Sequence, residues 1–296
     1  MTEPAPPPST EVERVDGSFI TADGLTLSTY RMPVEASRFE PVILIHGLSD
    51  HSRSAPYLRL GGYLASRGFE VFAFDRRGSG LSQGRANYAE RWTDLREDLA
   101  RFVDIVEDQC GRLPSLVGLS MGGLQALDFA LHAPDSVHGC VVMAPGLDAS
   151  GASPWLRRIL PVLAAWFPRL SVDPGLDDSA LVRDPEVCRS YRNDPLWRAR
   201  TTPALSLALL ETIERVQRHA AHFLAPLLVF HGTADRVVPI GGTRAFFPKA
   251  GSEDKTFVEL PGAFHALPIE PEGALMAQRI ADWLAARSGP TPDPNV

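Results

Sequence analysis

Three side chains that together can activate a hydroxyl stand at Ser120, Asp235 and His265, each close behind a short apolar run. Ser120 lies in "VGLSMGGLQALDFA", where the apolar push turns on Gly118 and Gly122 and continues as a helix-like run. The glycine spacing alone also fits an ordinary turn, so the context decides. A structural serine needs no such placement. A nucleophile does, because a sharp strand-to-helix turn holds Oγ off the backbone and aims a helix N-terminus at it. A serine hydroxyl attacks poorly until a base takes its proton. Histidine suits that task because its unperturbed pKa lies near neutrality, and a carboxylate fixes the imidazole tautomer and stabilises the imidazolium.

The elements that must position these groups are legible in outline. "SFITADGLTLSTYRM" reads as a hairpin turning at Asp23-Gly24. Six further runs, "PVILIHG", "FEVFAFD", "SLVGLS", "GCVVMAP", "PLLVFHG" and "KTFVELPG", lack polar alternation and suit strands buried on both faces of a parallel sheet. Helical patterns separate most of them. One carries Leu95, Leu99, Phe102, Val103 and Val106 at helical spacing, and another Leu275, Ile280, Trp283 and Leu284. This alternation predicts an α/β fold with a mostly parallel central sheet flanked by helices. From about 147 to 225 the rhythm breaks into helical pieces, prolines and tryptophans, read as an inserted all-helical cap. The expected organisation is a core of 15–146 and 226–288, the cap at 147–225, and disordered proline-rich tails at 1–14 and 289–296.

Ligands of open parallel sheets bind outside the carboxyl ends of the strands. Those ends supply the three groups in chain order Ser, Asp, His, the order of α/β-hydrolase triads. Asp148 is a rival acid, but "HGTADRVVP" gives strand, turn and acid in sequence for Asp235. A tetrahedral oxyanion needs donors, expected from the backbone N–H groups of Met121 and Leu48. His46 and His51 would shape the oxyanion loop, Asp75 and Arg76 the loop after their own strand, and His219 and His222 would lie at the surface. His46, Gly47 and Leu119 are expected to border the substrate. The helically spaced Trp155, Ile159, Leu163 and Trp166 read first as core between cap and sheet. Their functional readings are an acyl-chain wall, or a membrane-surface contact with Arg157, Arg158 and Arg169 at the interface.

The totals narrow the partners. The 296 residues are 44% hydrophobic and 22% charged, with a net charge of -7, which with the lack of a basic stripe excludes a nucleic-acid binder. Cys110, Cys140 and Cys188 are odd in number and widely spaced, giving neither a disulfide framework nor a zinc site; Cys140 reads as a buried, inert thiol. The N-terminus has no apolar h-region and no run approaches bilayer length, so a cytoplasmic protein is expected. Oligomeric state is not encoded legibly.

"HGLSDHS", "FDRRGSGLSQG", "GLSMGG", "YRNDPL", "HGTADRVVP" and "LPGAFH" follow the order seen in the monoacylglycerol lipase and lysophospholipase-like branch of the α/β-hydrolase superfamily, which the chain resembles over roughly 17 to 287. The resemblance implies Ser120 as nucleophile, Asp235 as acid, His265 as base, Leu48 and Met121 as oxyanion hole, a mobile cap over a hydrophobic acyl pocket, and no cofactor. It implies monoacylglycerols or similar acyl esters as substrates. Leu119 stands where this branch often has His, Ala266 where an acidic residue is common, and the strand before Ser120 is about one residue short. The alternatives are lysophospholipase, aminopeptidase-like or perhydrolase chemistry on the same triad, or a hydrolase-fold binding protein without turnover.

Overall fold

The computed structural model describes residues 13–288, apart from 36, 151–152, 174 and 176. The tail expected at 289–296, and all of the one at 1–14 except Glu13 and Arg14, lie outside the described residues. An eight-stranded sheet forms in the order β1-β2-β4-β3-β5-β6-β7-β8. The strands are β1 (Val15–Ile20), β2 (Thr26–Met32), β3 (Val42–Ile45), β4 (Val71–Phe74), β5 (Ser115–Leu119), β6 (Gly139–Met143), β7 (Leu227–Gly232) and β8 (Lys255–Leu260). β1 and β2 form the expected hairpin, with Gly24 at φ +88 in its turn, and β2 joins β4 antiparallel. The pairings from β4 through β8 are all parallel.

Buried alternate residues serve two cores. Ile43, Ile45 and Leu116 point to the side of α2 (Trp92–Cys110) and α3 (Met121–His132). Val42, Leu44, Val117 and Leu119 point to the side of α1 (Ala55–Ser66) and α8 (Gly273–Ala285). The five apolar positions read on α2 are all buried, each worth roughly 1.5–3 kcal/mol. That helix begins with the Asp94 carboxylate accepting the Arg91 N–H and stops at Gly111, φ +65.

Two expectations for the sheet and its flanking helices need correction. β8 is an edge strand, so it is half-exposed rather than buried on both faces. On α8, Leu275 is 49% exposed and Trp283 only partly buried. The face turned inward is Met276, Ala277, Ile280, Ala281 and Leu284, so Ile280 and Leu284 are inward as read while Leu275 and Trp283 are not.

Between β6 and β7 the described residues form α4 (Pro154–Trp166), α5 (Pro185–Arg192) and α6 (Pro203–Arg218), and Val172 pairs with Thr201 in an antiparallel bridge, so the insertion is not the all-helical one expected. Pro154, Pro185 and Pro203 each take the first helical position, and Ser153, Asp184 and Thr202 each accept a backbone N–H of the first turn. α6 sits against α3, its Leu205, Ala208, Ile213 and Val216 joining the α2–α3 core. Asp128 on α3, buried, accepts from Trp92 Nε1 at 2.9 Å, Arg96 Nη1 at 3.2 Å and Arg215 Nη2 at 2.7 Å, tying α2, α3 and α6 together.

α4 stands apart. Trp155 and Trp166 are 70% and 77% exposed, Ile159 and Leu163 are partly covered, and Leu160 alone is buried on this helix. The reading of Trp155, Ile159, Leu163 and Trp166 as core between cap and sheet is therefore wrong for the two tryptophans. α4 rests on α6, not on the sheet, so its broad apolar surface exceeds what α6 can cover.

Among the described residues no helix is long and apolar enough to cross a membrane.

Candidate active site

The strand order reverses direction at β3: one crossover leads outward to β4, and the next returns past β3 to β5. The carboxyl ends of β3 and β5 therefore border a crevice, the place where open α/β sheets bind ligands. Gly47 follows β3 and Ser120 follows β5, and a Cβ at Gly47 would lie 3.4 Å from that of Ser120.

Ser120 adopts φ 58, ψ −121 between β5 and α3, a conformation that costs a non-glycine residue roughly 1–3 kcal/mol. Its neighbours explain why the strain holds. A Cβ on Gly118 would meet the Gly122 carbonyl oxygen at 2.4 Å, and one on Gly122 would meet Ile45 O at 2.1 Å. The two glycines thus let strand, helix and β3 close in around the turn. Backbone bonds fix it to β6 and the loop beyond: Ser120 N–H donates to Met143 O at 3.0 Å, and Gly146 N–H donates to Ser120 O at 2.9 Å. Met121 then opens α3, its N–H among the unpaired donors of a helix start.

Asp235 follows β7 and His265 follows β8. His265 Nδ1 lies 2.7 Å from Asp235 Oδ2, while Asp235 Oδ1 accepts the N–H groups of Val237 and Val238, each at 2.9 Å. Burial acts to raise the Asp235 pKa, but His265 charge and the hydrogen bonds from His231, His265 and Val238 outweigh it and hold the carboxyl well below the usual range. The histidine loop is held in turn by the insertion: Leu181 O accepts the N–H groups of His265, at 3.1 Å, and Ala266, at 2.8 Å.

Ser120 and His265 line one cavity of about 180 Å³, with Gly47, Leu48, Leu119 and Met121. Asp148, the rival acid, also lines it, but its carboxylate accepts from Ser150 and Gly242 N–H, whereas Asp235 is the carboxylate against the imidazole. His46 is not at the cavity wall as expected. It is fully buried, its Nδ1 2.9 Å from Gly47 O and its Nε2 accepting the Arg76 N–H at 3.0 Å. Burial and the nearby Arg76 hold its pKa well below the ordinary value, so it is neutral. Trp155, Ile159, Leu163 and Trp166 do not line this cavity either; they sit on α4, beyond α6. Asp75 and Arg76 shape their loop as expected: Asp75 Oδ1 accepts from Ser52 N–H and Oγ, both at 2.7 Å. His219 and His222 are exposed.

Other wall residues escaped sequence reasoning. Asp50, Tyr57 and Tyr191 add polar groups to the wall, and Leu209, Ile213, Val237 and Val238 add apolar ones. The Tyr191 hydroxyl donates to Asp50 Oδ2, and Asp194 Oδ2 lies 3.0 Å from His51 Nε2, so "YRNDPL" docks on "HGLSDHS". Burial raises the Asp50 pKa against the lowering effect of the Tyr191 hydrogen bond. The recurrence of polar residues in those two short stretches was the available signal.

Comparison with known proteins agrees with this architecture. A family model described as serine aminopeptidase, S33, matches residues 37–272. The chain is 32% identical over 248 residues to a monoacylglycerol lipase of Mycolicibacterium smegmatis, covering 83% of this chain and 88% of that one. It is 31% identical over 233 residues to human monoglyceride lipase, covering 77% and 76%. The crystal structure of Paleococcus ferrophilus monoacylglycerol lipase superposes with a TM-score of 0.77 at 31% identity, over 93% of this chain and all of that one.

Proposed function

The chain belongs to the serine aminopeptidase S33 family of α/β hydrolases and is a serine hydrolase, and on that premise we propose that it cleaves monoacylglycerols or similar acyl esters through an acyl-enzyme. One observation carries the reading. Ser120, in its strained turn, and His265, held by Asp235, line one cavity whose wall carries both polar and apolar side chains.

In acylation Ser120 Oγ attacks the ester carbonyl carbon as His265 Nε2 takes its proton. The carbonyl oxygen becomes an oxyanion, received by the Leu48 and Met121 N–H groups. The intermediate collapses, His265 returns the proton to the departing alcohol, and the acyl group stays on Oγ. A water then repeats the sequence with the same base, releasing the acid and restoring Ser120. Asp235 holds the Nδ1–H tautomer, which leaves Nε2 free to accept. Each oxyanion donor is worth about 3–4 kcal/mol in the transition state.

The cavity wall offers both kinds of contact that an acyl ester of a polyol needs. Asp50, Tyr57 and Tyr191 suit a hydroxylated alcohol, while Leu209, Ile213, Val237 and Val238 suit acyl methylenes. The insertion at 147–225 serves as the cap, and α4 reaches the lipid surface with Trp155, Trp166 and Phe167, flanked by Arg158 and Arg169. Purified protein tests the assignment on p-nitrophenyl butyrate and on monoacylglycerols with graded acyl chains. The expected result is turnover of both, a fluorophosphonate label on Ser120, and loss of all three in Ser120→Ala with the fold kept. Residual turnover in that variant, or no label on the parent protein, would overturn it.

A further inference from the structure

The loop after β3 is gripped from beneath by a buried cation that the reaction steps above do not use. Arg76, 3% exposed, follows β4. Its Nη1 donates to His46 O, its Nη2 to Gly47 O, and its backbone N–H to His46 Nε2. The neutral imidazole of His46 returns its Nδ1–H to Gly47 O at 2.9 Å. Gly47 O therefore receives two donors from the protein interior, one of them charged. On the other side of the same residue, the Gly47 N–H donates to Tyr57 Oη at 2.8 Å.

The Gly47 carbonyl belongs to the peptide group that carries the Leu48 N–H. In a trans peptide the C=O and N–H point in opposite directions. Holding the carbonyl toward Arg76 and His46, neither of which lines the cavity, leaves the Leu48 N–H directed away from them. A charged donor on the carbonyl also polarises the peptide and strengthens its N–H as a donor. Turning this peptide over would strip both donors from Gly47 O and leave a buried guanidinium without that acceptor.

We propose that Arg76, with His46, is a positioning residue for the oxyanion hole: together they lock the Gly47–Leu48 peptide so that the Leu48 N–H is set before substrate arrives. The inference rests on the ester-hydrolase reading, since it assigns a role to the loop that reading uses. Burial lowers the Arg76 pKa to about 10, which keeps the guanidinium charged at neutral pH.

The test is a split between ground-state and transition-state binding in Arg76→Gln. Three quantities are measured: kcat and KM on p-nitrophenyl butyrate, Ki for an alkyl trifluoromethyl ketone, which adds to Ser120 as a tetrahedral oxyanion, and Ki for the product alcohol. The expected loss in kcat is about 10- to 100-fold, less than the removal of a donor outright. The ketone Ki should rise by the same factor, with KM and the alcohol Ki within about twofold. Arg76→Lys keeps a charge but reaches one carbonyl, so it should lie between; it also carries the test should Arg76→Gln not fold. Parent-like kcat and ketone Ki would overturn the proposal, as would equal weakening of ketone and alcohol, the mark of a purely structural role. Ser120→Ala in parallel separates the failures, because turnover persisting there sinks the hydrolase reading itself.

Discussion

Replacing Asp235 by Asn should be nearly silent in shape and severe in turnover. The Asp235 carboxylate divides its work: Oδ1 accepts two backbone N–H groups at 2.9 Å, and Oδ2 faces His265 Nδ1 at 2.7 Å. An amide in the same place keeps its oxygen on Val237 and Val238 N–H, because turning it over would present NH2 to two donors. Its NH2 then points at His265 Nδ1, which must become an acceptor. The ring proton moves to Nε2, and Nε2 can no longer take the proton of Ser120. The corresponding wrong-tautomer substitution in a serine protease lowers kcat about 10⁴-fold, or about 5.4 kcal/mol of barrier at 1.36 kcal/mol per decade. Steady-state kcat on p-nitrophenyl butyrate, with circular dichroism to establish folding, measures the effect. A folded Asp235→Asn protein within tenfold of the parent would refute the assignment of Asp235 as the acid partner. The same substitution has a stability signature. The folded-state pKa of Asp235 is depressed, so its contribution is complete above the unfolded value of about 3.9 and is lost as pH falls toward the folded one. Asp235→Asn should therefore flatten the acid limb of a Tm-against-pH profile below about pH 4.

Gly122→Ala forces a methyl to within 2.1 Å of Ile45 O and 2.6 Å of His46 O, backbone atoms that have little room to retreat. Thermal unfolding should report at least the 1–3 kcal/mol typical of overpacking; an unchanged Tm would show that the turn around Ser120 has room for a methyl group. Asp128→Ala removes the shared acceptor of Trp92, Arg96 and Arg215 and should cost about 3 kcal/mol in urea unfolding, the low end for a broken buried pair because both arginines keep some solvent contact. Trp155→Ser with Trp166→Ser should reduce co-sedimentation with anionic vesicles while p-nitrophenyl butyrate turnover stays at parent level. Undiminished vesicle binding would remove α4 from the lipid interface.

The sheet was legible because its signals are local. Each buried strand is a short apolar run closed by a turn residue, and the positions that follow β5, β7 and β8 could be counted directly to Ser120, Asp235 and His265. The two glycines at 118 and 122 were readable for the same reason, although the backbone atoms they make room for, on Ile45 and Gly122, are visible only in three dimensions. What stayed hidden depends on which way a helix is turned. The α4 stripe at 155, 159, 163 and 166 has the spacing of an inward face, yet nothing in a sequence states that α6 has already taken the place against the core. The polar part of the cavity wall was hidden for another reason. Tyr191 and Asp50 are 141 residues apart, and no periodicity links a tyrosine on one helix to a carboxylate in a distant loop. His46 carries the opposite lesson: its place beside the oxyanion loop was evident, but its imidazole turns inward, drawn by Gly47 O and the Arg76 N–H.

The grip of Asp128 on Arg215 has a bearing on how such enzymes are recombined. With Leu205, Ala208, Ile213 and Val216 in the principal core, and Gln217 Nε2 donating to Leu147 O and Gly242 O, α6 is scaffold rather than interchangeable part. A chimera that exchanges the whole stretch 147–225 would import foreign packing beneath the nucleophile helix. Crossover points placed before Pro154 and ahead of Thr202 would swap α4 and α5 alone and leave the foundation of the host intact.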